Sequence, residues 1–253
     1  MGRIAAKSSL KGMERISWII KPDQLKLTMS KKEPEGGISC SRRRYKISRA
    51  VCLVGVDGSG KSTLARLLEA KLVRSGYRVK RTWIRGTHTF ASLLARLLSR
   101  FTVFRGECNP YYHVCIPRVM KKIWVLIEFS SMIPLFVVRY IIPQKRGIIV
   151  LGDRGPLDFL AWLMLTLNDY SIKPSIIARI VESLSLKYCV NIYVRANINV
   201  LLSRRPGSRS FIERSLRVYD RLALSLRLSI VDTSKSSPLE SLQILEEKIH
   251  GKV

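Results

Sequence analysis

Residues 50–63 read Ala50-Val51-Cys52-Leu53-Val54-Gly55-Val56-Asp57-Gly58-Ser59-Gly60-Lys61-Ser62-Thr63. Five apolar residues in succession fit a strand buried on both faces, and they run straight into GxxxxGK[ST] spacing and a helix-forming stretch, LARLLEAKLVR. The glycines let backbone N–H groups converge on a polyphosphate, the helix N-terminus adds partial positive charge, and Lys61 reaches the outer phosphates. Ser62 is placed to ligate Mg²⁺. The segment Gly55, Val56, Asp57, Gly58, Ser59, Gly60, Lys61, Ser62 and Thr63 is therefore the candidate ATP-binding loop.

On either side of this loop, short β-branched runs alternate with longer helical stretches from Lys46 onward. Strands are expected at 50–54, 78–84, 147–151, 188–194 and 228–231, and helices at 62–74, 93–100, 116–140, 157–167 and 211–226. That alternation predicts an α/β, three-layer P-loop NTPase fold: a central parallel sheet of about five strands with helices on both faces. One domain over 47–253 suffices. Residues 1–46 mix charge, Pro and Gly, including Arg42-Arg43-Arg44, and read as a basic, disordered arm, with Met29 as an alternative start.

The chain has 253 residues, and 45 Lys+Arg against 18 Asp+Glu give a net charge of +27, an attraction for phosphates of any kind. With 47% hydrophobic residues a full core is affordable, which argues against a mainly disordered basic protein. The five cysteines (Cys40, Cys52, Cys108, Cys115, Cys189) lack CxxC spacing and read as free thiols of a reducing cytoplasm. The three histidines are scattered and no two share a helical face, so a His-built metal site is not expected. Residues 123–142 reach membrane-spanning length but carry Glu128, Pro134 and Arg139, so a buried helix is expected and no stable membrane insertion.

A GTPase would need an [NT]KxD segment after a later strand, and none follows Val194, while motors and helicases are usually larger and carry further motifs. A small-molecule kinase remains. Such a reaction crowds negative charge, so catalysis is mainly positioning and neutralisation by several arginines. Arg85, just past the second strand, is placed to hold the acceptor phosphate; Arg154 can bridge donor and acceptor; Arg205 and Arg209 can close over the donor. Asp153, at the end of an apolar strand, is a candidate Mg²⁺ residue together with Ser62.

Within that class the chain resembles the thymidylate kinase (dTMP kinase) family from Lys46 to His250. The resemblance rests on GVDGSGKST at 55–63, on Gly147 to Arg154 as G-x-x-V-x-x-DR, on the run Arg204 to Arg209 as an arginine-bearing lid, and on Val231-Asp232-Thr233-Ser234 as the loop beside the adenine. It implies that Asp57 serves the acceptor sugar or the Mg²⁺ water shell, and that two copies pair through helices flanking the site. The family's Phe-x-x-x-Arg pair falls on Phe129 and Ile133, so the aromatic that stacks on the base is present and the base-reading arginine is not. Gly155 stands where an aromatic is usual, Asp158 occupies an acceptor-side position, and Trp162 is a candidate replacement wall. The expected activity is a cytoplasmic nucleoside monophosphate kinase passing the γ-phosphoryl of Mg·ATP to dTMP or a related nucleotide. The alternatives are a nucleic-acid-binding P-loop ATPase, motivated by the charge, and a kinase of another small molecule such as a nucleoside.

Overall fold

In the computed structural model, which describes residues 49–204 and 207–250, five strands form one parallel sheet. They are β1 (Ala50–Val54), β2 (Val79–Trp83), β4 (Ile149–Arg154), β5 (Cys189–Arg195) and β6 (Ser229–Asp232), and they run β2-β4-β1-β5-β6 across the sheet. A sixth strand, β3 (Arg105–Asn109), lies outside it and makes isolated antiparallel bridges to Val114. The helices are α1 (Lys61–Arg74), α2 (Thr89–Leu98), α3 (Lys121–Phe136), α4 (Ile142–Lys145), α5 (Pro156–Thr166), α6 (Ile176–Tyr188), α7 (Ile198–Arg204), α8 (Arg209–Ser225) and α9 (Pro238–His250).

The side-chain alternation of β1 explains the three layers. Val51 and Leu53 point into a core shared with Leu64, Leu68 and Leu72 of α1 and Leu245 of α9. Ala50, Cys52 and Val54 point the other way, into a larger core built from α3, α5, α6 and α8. Every residue of β1 is buried, as a strand with helices on both faces requires. The chain leaves β1 for one side of the sheet and later crosses to the other, so the loop after β1 opens at the carboxyl ends of the strands, where such sheets hold ligands.

The long apolar helix differs from expectation in shape. It starts at Lys121, passes through a π turn at Val137–Ile141 and continues as α4. Pro143 has no N–H for the Arg139 carbonyl and its ring crowds that carbonyl, so the helix widens just upstream. The stretch Arg118–Lys145 is long and apolar enough to cross a bilayer, yet Glu128 and Arg139 within it are used by the fold. Glu128 is buried against Thr87, and Arg139 Nη1 donates to the Trp83 carbonyl at 2.8 Å.

One expectation about the cysteines is corrected. Cys108 and Cys115 form a disulfide, because the chain after β3 turns back so that Val114 bridges Arg105 and Asn109, which brings the two cysteines together. Cys52 and Cys189 are buried thiols, and Cys40, Met29 and the arm 1–46 lie outside the described residues.

Candidate active site

The loop between β1 and α1 has the conformation that its glycines permit. Gly55 sits at φ +150° with the Val194 carbonyl where a Cβ would go, and Gly60, at φ +94°, caps α1 in the left-handed region. Lys61 Nζ, buried, donates to the Val56 carbonyl at 2.7 Å and so lies along the inside of the loop. A cleft of about 430 Å³ opens over it, lined by Gly58, Lys61, Ser62, Asp153, Arg204 and Thr233 among others.

Two features of this cleft suit Mg²⁺ and a nucleotide. Ser62 Oγ donates to Asp153 Oδ2 at 2.6 Å, while Asp153 Oδ1 is buried and has no hydrogen-bond partner among the described residues. A hydroxyl beside a carboxylate with an unsatisfied oxygen is the hard donor set that Mg²⁺ takes when phosphates and water complete its shell. On the far wall, Arg204 Nη1 donates to Thr233 Oγ1 at 3.0 Å and Nη2 to the Thr233 carbonyl at 2.9 Å; Thr233 Oγ1 in turn donates to the Ser59 carbonyl at 2.9 Å. The end of α7, the loop after β6 and the glycine loop are thus tied together.

A second cleft, about 330 Å³, lies on the other side of Asp57 and Arg154. Asp57 bridges two guanidinium groups, Oδ1 pairing with Arg154 and Oδ2 with Arg85 Nη1 at 3.3 Å. The Arg85 guanidinium carbon is 4.4 Å from the ring centre of Trp162 and 5.3 Å from that of Tyr111. Its backbone N–H donates to His88 Nε2 at 3.2 Å. Burial, then the charges of Arg139 and Arg85, push the His88 imidazole down to about 4, which keeps it an uncharged acceptor at neutral pH.

Behind the Arg85 strand end, Thr87 organises a buried polar network. Its hydroxyl donates to Glu128 Oε1 at 2.6 Å and accepts from Asn109 Nδ2 at 3.1 Å and Trp162 Nε1 at 3.0 Å, while its N–H donates to Glu128 Oε2. One donor and two lone pairs are all used. Burial raises the Glu128 carboxyl to about 6 despite these hydrogen bonds. A carboxyl raised above its usual 4.5 binds its proton more tightly in the folded state, so its contribution is full below about pH 4.5 and is lost as pH rises through 6. Unfolding free energy should therefore fall by about 2 kcal/mol across that window, a slope that Glu128→Gln removes. Denaturant titrations of both proteins at several pH values measure it, and equal slopes would count against the buried carboxylate.

The predicted residues divide as follows. Asp57, Gly58, Gly60, Lys61, Ser62, Thr63, Asp153 and Arg154 line the first cleft, and Val56, Asp57, Arg85 and Arg154 line the second. Gly55 and Ser59 form the loop's buried underside, where Ser59 Oγ has no hydrogen-bond partner. Arg209 does not reach either cleft: its Nε donates to Glu213 at 3.0 Å, one helical turn on, and its side chain is 65% exposed. Arg205 lies outside the described residues. Phe129 and Ile133 both pack against the core and line neither of these two clefts.

Asp158 lines neither cleft. It is fully buried, accepting from Gly155 N–H at 3.0 Å, Tyr219 Oη at 2.9 Å, Gly55 N–H at 3.4 Å and Arg154 Nη1 at 3.4 Å, so it positions Arg154 and the loop. Burial raises its carboxyl, against the opposing charges of Arg154 and Lys61. Sequence reasoning missed Tyr111 and Phe211 as walls of the second cleft. Phe211 was legible as the aromatic next to the arginine run, whereas Tyr111 sits in a segment with no motif.

No family model matches the chain, and no curated protein does. Among solved structures, thymidylate kinase from Candida albicans is similar, with a TM-score of 0.53 at 16% sequence identity over 81% of this chain and 92% of that one. The fold is accordingly a thymidylate kinase-like P-loop NTPase fold, an α/β sheet of five parallel strands between helices.

Proposed function

We propose that the chain is a nucleoside monophosphate kinase that transfers the γ-phosphoryl of Mg·ATP to the 5′-phosphate of a nucleotide, dTMP first among the candidates. The observation that carries this reading is that Asp57 and Arg154 form a wall common to both clefts, one equipped for a polyphosphate and the other for an anion held by Arg85. The likeness of fold to a thymidylate kinase supports it.

The loop's backbone N–H groups would hold the donor phosphates, with Lys61 exchanging the Val56 carbonyl for a phosphate oxygen. Ser62 and Asp153 would hold Mg²⁺, which supplies charge neutralisation on the transferring group. Arg154, between the clefts, is placed to follow charge as it moves from donor to acceptor. Arg85 would fix the acceptor phosphate, which is already ionised at neutral pH, so no general base is needed.

The test is ADP release from Mg·ATP with dTMP, dUMP, dCMP, CMP, UMP, AMP, GMP and thymidine as acceptors. A nucleotide should stimulate release well above the acceptor-free rate. Stimulation by thymidine alone would instead favour a nucleoside kinase, and no stimulation by any acceptor would sink the kinase reading.

A further inference from the structure

We propose that the Cys108–Cys115 disulfide is a redox-set clamp that holds Tyr111 on Arg85, making Tyr111 a positioning residue for the acceptor-side arginine; this rests on the kinase reading above. Tyr111 lies inside the eight-residue segment that the disulfide closes. Its hydroxyl is 2.6 Å from Arg85 Nη1, and its ring centre is 5.5 Å from that of Trp162, so Arg85 is held between two aromatic faces and the Asp57 carboxylate. Pro110 and Tyr111 are walls of the acceptor-side cleft.

The segment is outside the main sheet. Besides the bridges from Arg105 and Asn109 to Val114, its ends are held by the N–H groups of Gly106, His113 and Cys115, which donate to the carbonyls of His113, Asn109 and Phe104, and by the buried Val114. Tyr111 itself is 55% exposed, so packing does not hold its ring. The inner anchor is Asn109, buried, whose Oδ1 accepts from the Tyr111 N–H at 3.1 Å and whose Nδ2 reaches Thr87. The disulfide is the covalent tie across this turn, and opening it leaves the turn that carries Tyr111 to those hydrogen bonds alone and loosens its fit on Arg85.

Cys108 is exposed, whereas the remaining described thiols, Cys52 and Cys189, are buried, so a soluble dithiol would meet this disulfide first. One thiolate of the reagent attacks a sulfur of the pair and releases the other as thiolate. The reagent's second thiol then displaces the first cysteine. Two electrons and two protons pass to the protein, giving two thiols and a cyclic reagent disulfide.

Arg85 reports the state of the clamp in two ways. In the full-length protein, dithiothreitol and Cys115→Ser should each raise the acceptor KM about tenfold, the scale of losing a hydrogen bond to a charged group, with the ATP KM and kcat little changed. Tyr111→Ala should do the same and make reduction silent, while Tyr111→Phe, which keeps the ring, should fall between. Independently of turnover, phenylglyoxal should modify Arg85, located by mass mapping, several-fold faster in the reduced protein. An unchanged Arg85 modification rate, once a thiol titration shows that the pair has opened, would overturn the clamp. So would ATP and acceptor KM values rising together. Absence of turnover with every acceptor would sink the kinase reading and leave the Arg85 labelling to decide the clamp.

Discussion

Lys61→Ala should lower acceptor-dependent ADP release by at least about 10²- to 10³-fold, the scale on which one group aimed at developing charge acts in a dry site. The loop has no replacement cation of its own, since Asp57, Gly58 and Ser59 fill its variable positions. Arg204 and Arg154 approach from the walls, and both already serve other partners there, Thr233 and Asp57. Stability should fall as well, because Lys61 is a buried cation that donates to the Val56 carbonyl and offsets the charge of the buried Asp158 carboxylate. Thermal unfolding and initial rates, measured on the same preparation, separate the two effects. Activity within about tenfold of the parent would remove Lys61 from the chemistry.

Gly86→Ala should be the most destabilising single-methyl change near the site, by about 3 kcal/mol or more. A Cβ on Gly86 would lie inside the Trp162 indole, 2.7 Å from Cγ and closer still to Cδ1 and Nε1. Trp162 is 1% exposed, so the methyl forces overpacking that costs about 1–3 kcal/mol. Moving the indole also breaks Nε1 to Thr87 and leaves a buried N–H unsatisfied, adding about 1–3 kcal/mol. The same shift removes the aromatic floor beneath Arg85, so acceptor KM should rise while ATP KM holds. A variant as stable as the parent, by denaturant titration, would show that Trp162 can retreat.

The sheet was legible because β1 carries both signals at once, an unbroken apolar run and the glycine loop that ends it. β4 and β5 read equally well, being central strands of Val, Ile and Leu. The β3 segment did not, since Arg105-Gly106-Glu107-Cys108-Asn109 has no alternation and its pairing depends on a disulfide that spacing alone does not announce. Loop residues of the site were readable from their motif, and Arg85 from its place at a strand end. Phe129 rests on a spacing counted back from Gly147 and Asp153, and its side chain packs against the core, a stripe that Ile133 and Phe136 share at helical spacing. Arg204 was legible only as one of several arginines; its selection comes from α7 ending beside Thr233, which is a tertiary fact.

The π turn also makes the protein tolerant of chain length in an unexpected place. A π turn holds one residue more than an α turn, so removing one residue from 137–141 would restore ordinary helical pitch with little rotation of α3 relative to α4 and β4. A deletion in α3 after Glu128 has no such slack and would turn the residues before it by about 100°. Glu128 would then swing away from Thr87, and with it the support for Asn109 and Trp162 on which Arg85 rests.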